Sequence, residues 1–456
     1  MLFERIESEG LAHYSYLIGD GREAAVIDPR RDGSVYINWA NRTGHTIVHV
    51  LETHRNEDYV IGSVELAART GAAVYHADAQ WDYAYGQAAQ DAQTWQVGRL
   101  ELEAIHSPGH TPGSMSYLLR NPEGAPWMLF TGDALFAGDV GRVDLLGEAR
   151  VEEMAGQLYE TLFDKLLALP DDLIVCPAHG AGSACGSAIA ERMWTTLGLE
   201  RRLNPKLQYA NRSDFVENVA QMLERPPYFQ RVEELNLSGA APRVKNVPLP
   251  PPLTADDFAQ HARNAIVVDT RDEMGFGAAH VPDALSLWLD GLSSFAGWFL
   301  PYDEPLLLVN ATDNPTAATR RLLRMGYDEP AGYLAGGVHA WLAAGRRSEA
   351  VELVTVQNLC RALDAGEEGW ILDVRSAGEL KSQGRITGAH HIHLTQLPAH
   401  LEAVPQERKI TIFCGSGRRS MIGASLLRRA GRENVAVVLG GLAGWHSTTC
   451  PVEMDA

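Results

Sequence analysis

Four short segments of the sequence carry side chains that can bind a metal ion. They are THRNEDY at residues 53–59, HSPGHTPG at 106–113, TGDALF at 131–136 and CPAHG at 176–180. Together they supply imidazole and carboxylate groups, which are common protein ligands of zinc and iron. One such segment would be weak evidence, but four in one chain indicate a metal centre built from distant parts of the sequence.

A second kind of chemistry centres on Cys414. The apolar run at 410–413 is typical of a buried strand, and CGSGRRS at 414–420 leads from it into a helical run at 421–429. A cysteine in this place lies beside the positive end of a helix dipole, and the glycines let backbone N–H groups turn towards it. The pattern favours the nucleophilic thiolate and could also hold a persulfide or a sulfite-like anion. The simpler interpretation, a small buried core residue, explains neither the glycines nor the arginines.

The metal-binding segments need a scaffold, and short β-like runs occur around them. These runs are 24–27, 47–51, 72–75, 128–130 and 173–175. They end in polar or Gly/Pro-rich loops, where histidines and aspartates cluster. A sheet that holds such loops at its strand ends is the usual support of catalytic groups. We therefore expect one domain over residues 1–245, followed by a stiff, extended linker, VPLPPP, at 247–252.

The rest of the chain contains an internal repeat. Asp-Thr-Arg at 269–271 matches Asp-Val-Arg at 373–375, and LAGGVHAW at 334–341 matches VLGGLAGW at 438–445. The offset is 104 residues in both cases, so two copies of one domain lie in register. Each copy alternates strand-like and helical runs, which is the pattern of a parallel sheet wrapped by helices. We assign the two copies to residues 250–348 and 352–456.

Composition and charge exclude several classes of function. With 45% hydrophobic and 21% charged residues and no apolar run of the roughly 18 residues that span a bilayer, the sequence is typical of a globular protein. The formal net charge of −19 would repel phosphate backbones and anionic membranes, so neither nucleic acid nor membrane is an expected partner. The N-terminus shows no secretory signal, which predicts a cytoplasmic location. Five scattered cysteines argue against a disulfide framework, and Cys360 and Cys450 show no chemical context.

The C-terminal copy resembles the rhodaneses, a family of sulfurtransferases, over its whole length. The resemblance rests on the CGSGRRS loop, the Asp-Val-Arg stretch, Gly-x-x-x-Gly-Ala at 384–389 and the Gly-Gly-x-x-x-Trp pattern that ends at Trp445. It implies that Cys414 carries a sulfane sulfur. The remaining catalytic residues that it implies are Arg418, Arg419 and Ser420.

The first copy lacks this catalytic loop. The position of Cys414 is taken by Asn310, and NATDNPT at 310–316 stands where the other copy has CGSGRRS. An amide cannot form a persulfide, and this loop has lost the glycines and arginines and gained a carboxylate. We therefore interpret 250–348 as an inactive rhodanese-like domain kept for packing or docking, and 352–456 as an active one.

The metal-binding segments, taken in order, resemble the metallo-β-lactamase fold, an αββα sandwich, over most of residues 1–245. Asp28 also stands at the usual strand end. Hydrolases of this fold bind two metal ions through a T-H-x-H-x-D-H motif, the histidines of GHTPG and PAH, and the bridging aspartate of TGDA. Here Asn56 and Tyr59 replace two of the motif's histidines. Neutral amide and phenol groups are poor zinc ligands beside imidazole and carboxylate, so a dinuclear zinc hydrolase is disfavoured.

The ligands that remain are His54, His110 and Asp133, the two-histidine, one-carboxylate set of non-heme Fe(II) oxygenases. Within the fold this set is similar to that of the persulfide dioxygenases of the ETHE type, and GRVD at 141–144 and RLNPKL at 202–207 extend the similarity. The resemblance implies one Fe(II) ion on these three residues, with zinc as the alternative. Asn56 departs from that family, which usually keeps a histidine there.

Further residues are expected around this ion. Asp58 and His179 are predicted to be hydrogen-bond partners of the ligands, or else to bind a second metal. Asn56 and Tyr59 stand beside the site in place of ligands. Arg142 and Cys185 are assigned to the substrate pocket, although for Cys185 an incidental buried thiol fits the sequence equally well.

The combined resemblances predict an enzyme that oxidises a persulfide of glutathione, coenzyme A or a similar thiol with O₂ and releases sulfite. Cys414 would then pass sulfane sulfur to sulfite to give thiosulfate, or would use thiosulfate in the reverse direction. Two other functions stay open. One is a zinc-dependent thioester hydrolase of the glyoxalase II type, and the other is a sulfur-carrier or sensor protein. The protein is a possible homo-oligomer.

Overall fold

The computed structural model of the protein describes residues 1–186, 188–367 and 369–454. Contacts between Cα atoms divide the chain into two compact units, Met1–Pro248 with Arg320–Asp328 and Leu249–Thr319 with Glu329–Ala456. The three domain boundaries expected from the sequence stay predictions, because this division groups most of both repeats in one unit. None of the described helices is long and apolar enough to cross a membrane.

The first unit is built on two mixed six-stranded sheets. Strands β1 to β6 pair in chain order and are Leu2–Ser8, His13–Asp20, Glu23–Ile27, Thr46–Leu51, Ala73–His76 and Gln87–Ala88. Strands β7 to β14 are Thr94–Val97, Leu100–His106, Met115–Arg120, Pro126–Gly132, Leu135–Phe136, Asp139–Val140, Ile174–Pro177 and Thr195–Thr196. The second sheet has the order β14-β13-β10-β9-β8-β7, while β11 and β12 form a separate hairpin. The five β-like runs of the sequence overlap β3, β4, β5, β10 and β13.

Helices pack on the outer faces of both sheets, which gives an αββα sandwich. Helices α1 to α6 are Ser34–Thr43, Ser63–Thr70, Val151–Glu160, Leu197–Leu203, Arg212–Val219 and Phe229–Ser238. The inner faces of the sheets share a core around Tyr16 and Phe130. Tyr36 and Leu66 join the first sheet to α1 and α2, and Leu158 joins the second sheet to α3. The fold class expected for this part of the chain is confirmed.

The second unit holds two parallel sheets of five strands each. Strands β15 to β19 are Pro252–Leu253, Ile266–Asp269, Leu285–Ser286, Leu306–Val309 and Gly332–Leu334, and β20 to β24 are Glu352–Thr355, Trp370–Asp373, His390–His391, Ile410–Phe413 and Val435–Leu439. Helices α7 to α15 are Ala255–His261, Glu273–Ala278, Leu292–Phe299, Thr316–Arg324, Gly337–Ala343, Val356–Asp364, Ala377–Gln383, Arg418–Arg429 and Gly441–Trp445. The orders β15-β19-β18-β16-β17 and β20-β24-β23-β21-β22 correspond strand for strand. The repeat in sequence is therefore a repeat in structure, with the parallel sheets that were predicted.

A disulfide joins Cys360 and Cys450, and here the expectation of no disulfide was wrong. Their Cα atoms lie 5.8 Å apart, and 90 residues separate them in sequence. Cys360 lies in α12 and Cys450 follows α15, beside a core that contains Phe413 and Trp445. The odd cysteine count concealed the pair because the other three cysteines, Cys176, Cys185 and Cys414, stay free.

We predict that Cys450→Ser lowers the stability of the oxidised protein. A disulfide that closes a loop of this length restricts the unfolded chain and contributes about 2–4 kcal/mol to the free energy of unfolding. Urea unfolding, followed by far-UV circular dichroism, should show a lower midpoint for the variant. With a reductant present, the wild type and the variant should unfold together. Equal midpoints under oxidising conditions would contradict the disulfide.

Candidate metal centre and cysteine loop

Asp28 anchors the loop that carries THRNEDY. Its carboxylate accepts hydrogen bonds from the Thr53 backbone N–H (2.8 Å) and from Thr53 Oγ1 (2.7 Å). On the other side, a Cβ added at Gly132 would lie only 2.6 Å from Thr53 Oγ1, and Gly132 has a positive φ of 52°. Glycine therefore lets the end of β10 approach the loop after β4 closely. These contacts hold two metal-binding segments together.

Hydrogen bonds behind the two candidate histidine ligands decide which ring nitrogen faces the cluster. His54 Nδ1 lies 2.8 Å from Thr53 Oγ1, and the proton of that hydroxyl goes to Asp28, so Nδ1–H is the donor. His110 Nδ1 lies 2.8 Å from the Arg142 carbonyl oxygen, which can only accept. In the neutral form of either ring, the lone pair would therefore be on Nε2. Such outer hydrogen bonds are the usual way in which proteins orient metal-binding histidines.

Three buried atoms that have no hydrogen-bond partner among the described residues converge at this point. They are His54 Nε2, His110 Nε2 and Asp133 Oδ2. Asp133 Oδ2 lies 3.8 Å from His54 Nε2 and 3.5 Å from His110 Nε2. An unpaired buried polar atom costs about 1–3 kcal/mol, and one cation would satisfy all three. The residues present therefore fit a metal ion, and their mix of imidazole and carboxylate suits iron or zinc.

His179 lies between two carboxylates. Its Nδ1 is 2.8 Å from Asp133 Oδ1, and its Nε2 is 2.9 Å from Asp58 Oδ2. Burial alone would lower the pKa of His179, but Asp133 and Asp58 outweigh it and raise this pKa well above its ordinary value. The imidazolium donates from both nitrogens, so it has no lone pair left for a second metal. In this arrangement His179 and Asp58 support Asp133 by hydrogen bonds.

The carboxylates dominate the electrostatics of the cluster. Burial opposes ionisation of Asp133, but His179 and His54 outweigh it and hold the pKa of Asp133 below its usual range. Burial would also lower the pKa of His110, yet Glu57 and Asp133 raise it to about 9. The cluster therefore attracts positive charge to the position of His110 Nε2.

Asn56 and Tyr59, which replace two motif histidines, are both buried and differ in their contacts. Asn56 Nδ2 donates to the His54 carbonyl oxygen at 3.2 Å. The Tyr59 ring packs on His13 with 4.0 Å between ring centroids, and its hydroxyl donates to the Asp28 carbonyl oxygen at 3.4 Å. Burial raises the pKa of Tyr59 well above its ordinary value, so the phenol stays neutral and a poor ligand.

Glu57 is a member of the cluster that sequence reasoning missed. It is fully buried, and its Oε1 lies 3.2 Å from His110 Nε2. One oxygen or nitrogen each of His54, Glu57 and His110 lie within 4.8 Å of one another. The position is a variable one in the motif, so the motif gave no signal. The informative feature is its burial, because a glutamate is almost never fully buried unless it is paired.

The two residues predicted for the substrate pocket both lie beside the cluster. The Arg142 guanidinium forms two 2.7 Å hydrogen bonds with Asp144, so this cation is already paired. The Cys185 thiol lies 3.5 Å from Glu57 Oε1. Burial raises the pKa of Cys185 well above its ordinary value, which keeps it a neutral thiol. A contact of either side chain with substrate stays a prediction.

The loop of Cys414 joins β23 to α14 and closes on its own sulfur. The Gly417 backbone N–H donates to Cys414 Sγ at 3.1 Å, and the Leu442 N–H donates to the Cys414 carbonyl oxygen at 2.9 Å. A Cβ added at Gly441 would lie 2.2 Å from that carbonyl oxygen, so this position needs glycine for the close approach. The sulfur therefore sits at a helix N-terminus with a backbone donor directed at it.

The three residues predicted to act with Cys414 lie in different surroundings. The Arg419 guanidinium binds both oxygens of Glu379, at 2.7 and 2.6 Å. Arg418 is half exposed and lies 3.7 Å from Glu273 Oε2. Ser420 is buried, and its hydroxyl has no hydrogen-bond partner among the described residues. Arg419 is thus held in place, while Ser420 keeps a donor free.

In the corresponding loop of the first repeat, the side chains of Asn310 and Asp313 accept hydrogen bonds from neighbouring segments. Thr270 Oγ1 donates to Asn310 Oδ1 at 3.0 Å, and the Gly336 N–H donates to Asp313 Oδ1 at 3.0 Å. Asp313 stands at the position of Gly417 in the other copy. The Asp313 carboxylate thus accepts from Gly336 where, in the other copy, the Ser416 carbonyl oxygen accepts from the Gly440 N–H at 3.0 Å.

Two family profiles match the chain. The metallo-beta-lactamase superfamily profile matches residues 9–179, and the rhodanese-like domain profile matches residues 254–344 and 355–448. The first match covers three of the four metal-binding segments in full and ends at His179 in the fourth, and the second covers both repeats. These matches assign the two compact units to two different families.

Curated relatives and solved structures give the same assignment. The chain is 31% identical over 207 residues to "Persulfide dioxygenase ETHE1, mitochondrial" of Bos taurus, which covers 42% of this chain and 71% of that relative. It is 26% identical to "Hydroxyacylglutathione hydrolase GloC" of Haemophilus influenzae over 42% of this chain and 91% of that relative. A crystal structure of a metallo-beta-lactamase from Staphylococcus aureus aligns with a TM-score of 0.65 and 30% identity, over 73% of this chain and 98% of that one. The chain therefore belongs to the metallo-β-lactamase superfamily, with ETHE1 persulfide dioxygenases among its homologues, and it carries two rhodanese-like domains.

We predict that a divalent metal stabilises the first unit and that Asp133→Ala abolishes this effect. A metal present at 100 times its dissociation constant adds about 2.7 kcal/mol to the free energy of unfolding. For a unit of this size the midpoint of thermal unfolding should rise by about 5–10 °C. Anaerobic calorimetry with Fe(II), Co(II) and Zn(II) measures the shift, with His261→Gln in the second unit as the control. A wild type that shows no shift with any of these ions would contradict the metal centre.

Proposed function

We propose that this protein is an iron-dependent persulfide dioxygenase whose C-terminal rhodanese domain transfers sulfane sulfur at Cys414. The observation that supports the first activity is the convergence of three unpaired atoms, from His54, His110 and Asp133. A set of two histidines and one carboxylate leaves coordination positions open for both a substrate and O₂. The ETHE1 relatives are named for this reaction.

The substrate of the proposed oxidation is the persulfide of a small thiol, such as glutathione or coenzyme A. In the balanced reaction, RSSH, O₂ and H₂O give RSH, sulfite and two protons, and the terminal sulfur transfers four electrons to O₂. A bound Fe(II) ion would supply open positions for persulfide and O₂ and would stabilise charge as the sulfur is oxidised. The protein contributes a rigid frame, because His179 holds Asp133 and the Arg142 carbonyl oxygen holds His110. Burial of these groups keeps bulk water away from the reacting sulfur.

The rhodanese step would consume the sulfite. Cys414, charged with sulfane sulfur by a second persulfide, would be attacked at its outer sulfur by sulfite. The sulfur–sulfur bond would break, thiosulfate would form, and the Cys414 thiolate would leave. The Gly417 N–H, 3.1 Å from Cys414 Sγ, would donate to that sulfur as it leaves, and Arg419, which is paired with Glu379, lies in the first turn of the helix that follows. The same groups serve the reverse reaction, in which thiosulfate is cleaved.

Metal analysis separates this proposal from a zinc thioester hydrolase, the function for which another relative is named. The hydrolase needs two metal ions, whereas His179 here donates both ring protons to carboxylates and Tyr59 is a neutral phenol. We expect one iron per chain in protein purified without oxygen and reconstituted with Fe(II). Two zinc ions per chain, together with hydrolysis of a glutathione thioester, would contradict the dioxygenase.

The two activities should be separable by mutation. Asp133→Ala removes a ligand and should abolish O₂ uptake with glutathione persulfide, while sulfur transfer at Cys414 stays within about twofold of the wild type. Cys414→Ser should do the reverse. An oxygen electrode measures the first activity, and thiosulfate formation from added sulfite and persulfide measures the second. If the wild type consumes no O₂ with glutathione persulfide while its Cys414 still becomes persulfidated, the protein is a sulfur carrier instead.

A further inference from the structure

Glu57 is the one carboxylate of the metal cluster to which the proposed function gives no role. Its side chain is fully buried, its Oε1 lies 3.2 Å from His110 Nε2, and its Oε2 has no hydrogen-bond partner among the described residues. Glu57 directly follows Asn56, the position at which the metal-binding motif has lost a histidine. A buried and partly unpaired carboxylate at this point needs a physical explanation.

Neighbouring arginines do not supply the cation that Glu57 needs. A buried carboxylate is strongly disfavoured unless a cation or several donors compensate for its lost hydration. The guanidinium of Arg142 is taken by Asp144, and that of Arg55 lies 2.8 Å from Glu233. Within 4.0 Å, the only side chain of the described residues that could carry a positive charge beside Glu57 is His110, which is itself a candidate metal ligand.

The spacing of the cluster fits a shared ion. Metal bonds to imidazole and carboxylate are about 2.1 Å long, so two ligands of one ion lie roughly 3–4 Å apart. Glu57 Oε1 is 3.2 Å from His110 Nε2, and His110 Nε2 is 3.5 Å from Asp133 Oδ2. A carboxylate oxygen of Glu57 also lies within 4.8 Å of a ligand atom of His54 and of one of Asp133. These distances fit one ion shared by the four side chains.

We propose that Glu57 is a fourth protein ligand of the ion held by His54, His110 and Asp133, and that it supplies the donor lost at Asn56. Two carboxylates then balance the charge of a divalent ion, and a six-coordinate ion keeps two open positions instead of three. Two positions are enough for one persulfide sulfur and one O₂. The inference needs a metal ion at this site, as the proposed function does, but it does not depend on which substrate is oxidised.

Other contacts of Glu57 do not explain its position equally well. The Cys185 thiol at 3.5 Å is a weak donor, and it approaches Oε1, not the unpaired Oε2. If Glu57 served only to accept from Cys185, its loss would leave the metal coordination unchanged. Loss of Glu57 should therefore change the spectrum of the bound metal if Glu57 is a ligand, but not if it only accepts a hydrogen bond.

The test compares Glu57→Gln and Glu57→Ala with a matched control, Glu52→Gln, in the full-length protein. Glu52 is an equally buried carboxylate near the start of the same loop, but it accepts hydrogen bonds from Tyr85 and is not in the cluster. Anaerobic titration with Co(II) gives the dissociation constant and the visible d–d spectrum. Loss of an outer partner costs about 10–100-fold in metal affinity, so loss of a ligand should cost at least about 100-fold. The d–d bands of any Co(II) still bound should shift, because the coordination changes, while the control keeps both the affinity and the spectrum.

A crystal structure of the wild-type protein loaded with Co(II) provides the second measurement and does not depend on the variants being folded. A Glu57 oxygen about 2.0–2.2 Å from the ion supports the inference. A distance beyond about 3 Å, or an unchanged Co(II) spectrum in Glu57→Gln, overturns it while leaving the metal centre intact. If wild-type protein binds neither Co(II) nor Fe(II), the proposed function fails together with the inference, and that outcome is distinct from the loss of Glu57 alone.

Discussion

The metal centre depends on one arrangement, an imidazolium held between two carboxylates. His179 donates to Asp133 and to Asp58, at 2.8 and 2.9 Å, and all three side chains are buried. This cation stands among groups that bind a second metal in hydrolases of the same fold. It neutralises Asp58 and orients Asp133 without a metal, so the unpaired oxygen of Asp133 is left for a single ion. A proton on His179 thus stands where a second metal ion would bind, which supports the proposal of a single ion at this site.

The two sheets make this arrangement possible because they place short loops at their strand ends. Asp28 follows β3, Thr53 and His54 follow β4, and Asp133 follows β10, so backbone pairing fixes their spacing before any metal binds. Asp28 accepts a hydrogen bond from the Thr53 hydroxyl, and this hydroxyl in turn accepts from His54 Nδ1 and orients the ring. The free lone pairs of the cluster are therefore set by hydrogen bonds that lie outside it. Substitutions at Asp28 or Thr53 should therefore disturb the orientation of His54, although neither residue is a candidate ligand.

The sequence predicted the layers, the repeat and the segments that converge, because strand patterns and motif order are local signals. It did not reveal Glu57 or the disulfide. Glu57 occupies a variable position of its motif, and only the fold shows that its carboxylate is buried 3.2 Å from His110 Nε2. Cys360 and Cys450 are brought together by the return of the chain end to α12, a contact across 90 residues that spacing cannot encode. The pairing of Arg142 with Asp144 and the approach of the Cys185 thiol to Glu57 are likewise visible only in the folded chain.

The two rhodanese-like copies show which features belong to the fold and which to the chemistry. Both copies keep an aspartate–arginine ion pair of 2.6 Å, Asp269 with Arg271 and Asp373 with Arg375, at the end of the equivalent strand. Both keep the two glycines that let the backbone close on the loop. The loop after the equivalent strand differs in its chemistry, since Asp313 accepts from the Gly336 N–H in the first copy, whereas Gly417 directs its N–H at Cys414 in the second. The first domain follows the same rule, because its backbone is retained while Asn56, Glu57 and Tyr59 change what the loop can bind. In each unit the residues that decide what the loop can bind lie just after a strand end, so the sheet fixes where they stand and the loop sequence fixes what they offer.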